Sequence, residues 1–349
     1  MSLKFFIFGL STDAKMDKDL FIKRYSELGR RLVRWLDGVE KWPELDEAVE
    51  KEAQDNLLFT PYMQRRALEA IAVGFLNEDG LGRWVEKYPR AGKSPGVCGV
   101  VAAGNIPAVA FQDILSVLAA GWRPVVKLSS KDRYLLPVLF PDVEFCGSVS
   151  GWHADALITM GGDAAAEYFR KNFPEVPKLI RASRFSLAVL EGGESGAALE
   201  ALAEDMLLYY GLGCRSVTWL LVPEGYEMRP LMTAAEDFAV RCLGRPAVDN
   251  HRRNKAVLTL AGETFLDSGT VIFRHLDGDS PYGQSLQVGE VWYSEYRRHA
   301  DVDKFIRANE DRIQKIIRNF GYAQRPALDD WPDGVDVVGF LGGLENKKL

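Results

Sequence analysis

The stretch Gly96-Val97-Cys98-Gly99-Val100-Val101-Ala102-Ala103-Gly104-Asn105-Ile106-Pro107 decides the fold. Gly96 to Ala103 carries no charge and reads as a strand buried on both faces. Gly104 to Pro107 ends it in a loop, and Phe111 to Leu118 follows at helical spacing. Ala119-Ala120-Gly121 stops that helix. Trp122 to Leu128 is the next strand and Lys131 to Phe140 the next helix. Then come Val143-Glu144-Phe145, a connection around Gly151, a strand over Ala156–Met160 and a helix over Asp163–Phe173. This alternation predicts an α/β, doubly wound parallel sheet with helices on both faces. Such sheets bind ligands at the carboxyl ends of their strands, which directs attention to the loops Gly104–Pro107, Ser129–Asp132 and Gly161–Asp163.

Upstream, the chain reads as helical. Leu20, Phe21, Tyr25, Leu28, Leu32, Val33 and Leu36 make one amphipathic helix. Leu45 to Asn56 is a second, rich in acids. Thr60-Pro61 starts a third, with a hydroxyl cap followed by proline in the first turn. Leu81 to Lys87 is a short fourth, and Phe5–Leu10 an early strand. Downstream, a second strand–helix set begins near Leu187. It holds a helix over Leu231–Cys242, strands near Ala256 and Thr270, Val291-Trp292-Tyr293, a helix over Val302–Asn309 and a strand at Gln314–Ile317. The Gly-rich Glu191-Gly192-Gly193-Glu194-Ser195-Gly196 marks the division, giving residues 1–190 and 191–349.

At 349 residues the chain is long enough for two domains. Its hydrophobic content of 47% and charged content of 26% are those of a soluble globular protein. A net charge of −6 and the lack of a basic stripe disfavour a nucleic-acid partner. No apolar run reaches membrane-spanning length. Cys98, Cys146, Cys214 and Cys242 are far apart, which fits a reducing cytoplasm. The four histidines show no metal-ligand spacing, so no metal is expected.

Cys214 is singled out by its setting, Tyr209-Tyr210-Gly211-Leu212-Gly213-Cys214-Arg215-Ser216. Leu202, Met206, Leu207 and Tyr210 form a helical stripe before it, and Val217 to Val222 a buried strand after it. Gly211 and Gly213 let the backbone turn between them. A nucleophile needs a fixed position with open space beside it, and Arg215 places a positive charge near the sulfur. A buried structural cysteine fits the same segment. Asn105 is likewise open to two readings, a donor to a developing oxyanion or a turn residue. Gly161-Gly162 joins a strand to a helix and can admit a pyrophosphate to the helix N-terminus, although it is not GxGxxG.

Together these segments resemble the aldehyde dehydrogenase superfamily. Val97 to Pro107, Leu118-Ala119-Ala120-Gly121 and Val125-Val126-Lys127-Leu128-Ser129-Ser130 look like its first βαβ unit. Within it the chain is most similar to the LuxC-like acyl-CoA reductases. That likeness rests on Phe59-Thr60-Pro61, Gly104–Pro107, Lys127–Asp132, Gly211–Ser216, Ala323-Gln324 and Asp333-Gly334-Val335-Asp336. The resemblance implies an aldehyde-dehydrogenase-like fold and reduction of an acyl-CoA, or an acyl group on a protein, to the aldehyde. Cys214 would be the acyl-accepting nucleophile, and Asn105 with the Cys214 N–H the oxyanion hole. Lys127 would contact the adenosine ribose, and Gly161 would lie near the pyrophosphate. The superfamily's ribose-binding acid falls at Ser130. A serine there would leave Ser129, Ser130 and Lys131 to hold a 2′-phosphate, hence NADPH, unless Asp132 turns inward to the diol. Superfamily members usually assemble, so a homo-oligomer is an expectation. Oxidising members carry a water-activating glutamate two positions before Gly-Gly. Alignment on Gly192-Gly193 puts Leu190 there, with Glu191 one residue off and facing the other way in a strand. An oxidative dehydrogenase and a non-catalytic binding protein on the same fold are the rival readings.

Overall fold

The computed structural model describes residues 17–88, 96–181, 183–276 and 287–345. The expected strand at Phe5–Leu10 lies outside them. Four helices come first: α1 (Lys18–Leu36), α2 (Pro43–Asp55), α3 (Pro61–Gly74) and α4 (Glu78–Glu86). Asp17 caps α1 by accepting the N–H groups of Asp19 and Leu20. Thr60 caps α3 by accepting the Met63 N–H at 3.3 Å, with Pro61 in the first turn. None of the described helices is long and apolar enough to cross a membrane.

The first sheet is built from β1 (Val97–Val101), α5 (Phe111–Ala119), β2 (Arg123–Lys127), α6 (Leu135–Leu139), β3 (Glu144–Cys146), β4 (Ala156–Met160), α7 (Asp163–Asn172) and β5 (Lys178–Arg181). Its order is β3-β2-β1-β4-β5, and every pairing is parallel. The second is built from β6 (Phe185–Val189), α8 (Gly196–Leu207), β7 (Val217–Pro223), α9 (Arg229–Cys242), α10 (Arg245–Leu260), β8 (Leu266–Asp267), β9 (Ile272–His275), β10 (Glu290–Tyr296), α11 (His299–Ala308) and β11 (Ile313–Ile317). Its order is β11-β6-β7-β10-β9-β8, parallel except for β8 on β9. A last helix, α12 (Val337–Glu345), follows.

Three expectations change. The strand near Ala256 is helix: α10 buries Ala247, His251, Asn254 and Leu258, a three-to-four spacing that makes one helical stripe. The helix expected over Lys131–Phe140 shrinks to α6, because Ser129 and Asp132 close a tight turn bridged to each other. The sheets change partner before residue 190, since β6 already pairs with β7 and β11. The chain end also returns to the first unit, where Val337, Val338 and Leu341 of α12 join the core of α5 and β1.

The turn at Asp132 rests on a buried carboxyl pair. Asp132 is fully buried and accepts the Ala108 N–H at 2.9 Å. Glu52 of α2, also buried, accepts the Arg133 and Tyr134 N–H groups at 2.5 Å each. Burial pushes both carboxyls above their usual range, and the Glu52 charge raises Asp132 further. One proton shared by the pair relieves the repulsion. A carboxyl raised by folding binds more proton in the native state, so its stability contribution falls as pH rises above about 4 and through the folded value. Thermal melts across pH 5 to 8 check this: Asp132→Asn, neutral throughout, is expected to flatten the loss of melting temperature toward pH 8. An unchanged slope would mean that the pair holds no extra proton.

Candidate active site

A cavity of about 1270 Å³ opens at the carboxyl ends of β1, β2, β4 and β5. Gly104–Val109, Ser129–Lys131, Met160–Gly162 and Arg181 line it from the first sheet. Tyr209–Arg215, Thr218 and Trp292 line it from the second. One arm runs to Leu58, Phe59, Ala67, Ile71 and Phe75 of the helical segment.

The loop carrying Cys214 is strained. Tyr209 and Tyr210 each have φ 58°, and Gly211 follows at φ 72°, three left-handed residues in a row. Each non-glycine residue there costs roughly 1–2 kcal/mol. Burial of both rings and the Tyr210 hydroxyl, which donates to the Leu243 carbonyl at 2.9 Å, offset that cost. Sequence reasoning found the glycines here and missed the tyrosines, since nothing in a tyrosine's local preference signals φ > 0. Gly213 is needed for another reason: a Cβ there would stand 2.6 Å from Ile106 Cδ1 of the facing loop. The Cys214 carbonyl accepts from Ser186 Oγ at 2.8 Å, which ties the loop to β6. Gln324 supports it from behind, donating to Ser216 Oγ at 2.9 Å. Gln324 is held in turn by Asp205, which accepts from the Gly321 and Ala323 N–H groups and is pushed up to about 6 by burial. Thus Ala323-Gln324 buttresses the loop that carries Cys214.

Asn105 meets this loop directly. Its Nδ2 donates to the Leu212 carbonyl at 2.6 Å, using one amide hydrogen, while Oδ1 is buried without a partner among the described residues. Arg215 departs from expectation. Its guanidinium donates to the Asp330 carboxylate at 2.7 Å, so its charge is largely spent there. Burial raises the Cys214 thiol above its ordinary value; Arg215 and Arg181 pull it down, and Asp333 pushes it up. Burial, rather than the neighbouring Arg215, therefore sets the direction of the thiol's shift. Arg181, at the end of β5, is paired with Asp113 of α5, and both are buried.

On the cofactor side, Ser129, Ser130, Lys131, Gly161 and Gly162 all line the cavity; Lys127, the last residue of β2, does not. Asp132 points away to Ala108, which removes it as an acceptor for a ribose diol. The residues aligned with the water-activating glutamate lie away from the cavity: Leu190 is buried in the second core, and Glu191 pairs with Arg318 and His299, outside the cavity lining.

Gly104 has no room for a side chain: a Cβ would lie 2.7 Å from Ser129 Cβ and 3.0 Å from Lys131 Cβ. Gly104→Ala is therefore expected to displace the Ser129–Lys131 turn. Calorimetric titration with a nicotinamide dinucleotide checks whether the turn binds one: if it does, affinity should fall at least about tenfold, or about 1.4 kcal/mol, with the fold retained by circular dichroism. Unchanged affinity would separate this turn from cofactor binding.

No protein-family model matches the sequence, and no curated protein matches it significantly. Solved structures do. An oxidoreductase from Marinobacter aquaeolei superposes with a TM-score of 0.65 at 12% identity, covering 95% of this chain and 86% of its own. A Mycobacterium tuberculosis aldehyde dehydrogenase complexed with NAD+ gives 0.60 at 15% identity, covering 91% and 84%. An indole-3-acetaldehyde dehydrogenase with NAD+ gives 0.60 at 13% identity, covering 86% and 76%. With two parallel sheets and these superpositions, the chain has the aldehyde dehydrogenase fold.

Proposed function

We propose that the protein is an NADPH-dependent reductase that converts an activated acyl group, a CoA or protein thioester, to the aldehyde. The observation that carries this reading is the single cavity shared by Cys214, Asn105, the Ser129–Lys131 turn and an apolar arm. Cys214 Sγ attacks the thioester carbonyl, the carrier leaves as a thiol, and a thioacyl-cysteine forms. The second amide hydrogen of Asn105 and the Cys214 N–H are the donors assigned to the developing oxyanion. The arm along Leu58, Ile71 and Phe75 suits an alkyl chain, which gains about 0.8 kcal/mol per buried methylene.

The residues present fit a nicotinamide cofactor. α7 starts at Gly162 with no side-chain cap, so its first N–H groups are left for a pyrophosphate. Ser129, Ser130 and Lys131 would hold a 2′-phosphate. When bound, the cofactor would supply hydride to the carbonyl carbon of the thioacyl-cysteine, and breaking of the C–Sγ bond would then release the aldehyde and return the Cys214 thiolate.

Cys214→Ala is expected to abolish aldehyde formation while leaving NADPH affinity unchanged. Intact-mass analysis after incubation with acyl-CoA should show an adduct in wild type and none in the variant. Aldehyde formation by Cys214→Ala would refute the nucleophile assignment. Ser130→Glu is expected to lower kcat/KM for NADPH relative to NADH by about ten- to a hundredfold, the worth of one charge-assisted hydrogen bond. A ratio unmoved by the substitution would mean that this turn does not read the phosphate.

A further inference from the structure

We propose that Asp333 is the proton acceptor for Cys214, directly or across one water, an assignment that rests on the thioacyl mechanism above. Among the described residues lining the cavity, the carboxylates are Asp55, Asp113 and Asp333. Asp55 is committed to the helical segment, where it accepts from the Tyr134 hydroxyl at 2.6 Å. Asp113 is locked to Arg181, and its side chain is only 2% exposed. Asp333 meets Arg184 Nε through Oδ1 at 3.2 Å, and of the three carboxylates it is the one that acts on the Cys214 thiol.

The chain goes to some cost to present it. Asp333 has φ 59°, ψ 15°, followed by Gly334 at φ 66°. Gln314 Oε1 of β11 accepts the Asp333 N–H at 3.0 Å and holds the turn. A non-glycine residue kept in that region by its surroundings is a common mark of a functional position. The charged groups facing it are Arg181 of β5, Arg184, Asp113 of α5 and Arg215 beside the nucleophile. Burial raises the Asp333 carboxyl, and Arg184 and Arg181 pull it back. Cys214 and Asp333 line the same cavity, and the Asp333 charge raises the thiol.

The step balances without any oxidant. The Sγ–H bond breaks, with its proton passing to Asp333, as the Sγ–C bond forms. The bond from carbon to the carrier sulfur then breaks, and the leaving thiolate takes the proton from Asp333. The advantage of such an acceptor disappears at high pH, where the thiol ionises unaided.

Two measurements on the full chain test this, each with wild type, Asp333→Asn, Asp333→Glu and a Cys214→Ala background. The first is iodoacetamide alkylation of Cys214 against pH, with no substrate present. Loss of a neighbouring negative charge should move the Asp333→Asn profile to lower pH and speed alkylation. The second is the single-turnover release of CoA from an acyl-CoA. Here Asp333→Asn should be slower by about a hundredfold or more at pH 7, with the gap closing toward pH 10 and Asp333→Glu recovering part of the rate. An alkylation profile that does not move overturns the placement of Asp333 against the thiol. Faster alkylation with equally fast acylation leaves Asp333 a mere neighbour and overturns its role as acceptor. Absence of any acyl adduct in wild type is a separate result: it defeats the thioester reading, while the alkylation profile still decides whether Asp333 faces the sulfur.

Discussion

The site depends on how closely two loops from different sheets approach. Asn105 follows β1, Leu212 precedes Cys214, and the hydrogen bond between them is 2.6 Å long. Such closeness requires Gly213 against Ile106 and Gly104 against Ser129, since a methyl group at either glycine would overlap its neighbour. Each glycine therefore sets a distance between backbones, and the strained Tyr209–Gly211 turn sets the direction from which Cys214 arrives. Asn105 and Cys214, brought from separate sheets, keep their spacing only while both sheets stay packed.

Much of this was legible in the sequence. The uncharged strand at Val97–Val101 and the strand–helix spacing after it gave the first sheet, and the Thr60-Pro61 start of α3 was read from its cap and proline. Cys214 and Asn105 stood out because each sits where a strand or helix breaks. What could not be read was long-range. Arg215 lies next to the sulfur in sequence, yet its charge is claimed by Asp330, more than a hundred residues on. Asp132 looked like a ribose acceptor until Glu52 and Ala108 closed over it. Ala256 misled through its neighbours Val257 and Leu258, a short apolar run that period alone does not assign.

The charges around the cavity are arranged before any ligand arrives. Arg181 with Asp113, Arg184 with Asp333 and Arg215 with Asp330 are ion pairs fixed by the protein, in a chain whose net charge is −6. Dipoles and charges held in place at a partly water-excluded site stabilise a changing charge without reorganising, which is where such sites gain most. The same pairing explains why the thiol remains high: the nearby cations are already answered by anions, and burial dominates.

The return of α12 to the first unit has a mechanical consequence. The polypeptide crosses the gap between the sheets twice, once between β5 and β6 and again between β11 and α12. Two crossings restrict the halves to rotation about the line joining them, as two hinges restrict a door. Arg184 sits on one crossing and Asp333 on the other, and their ion pair bridges the two. An opening of the cavity that kept both crossings intact would turn about a line through Arg184 and Asp333, so the loop of Cys214 beside that line would shift least.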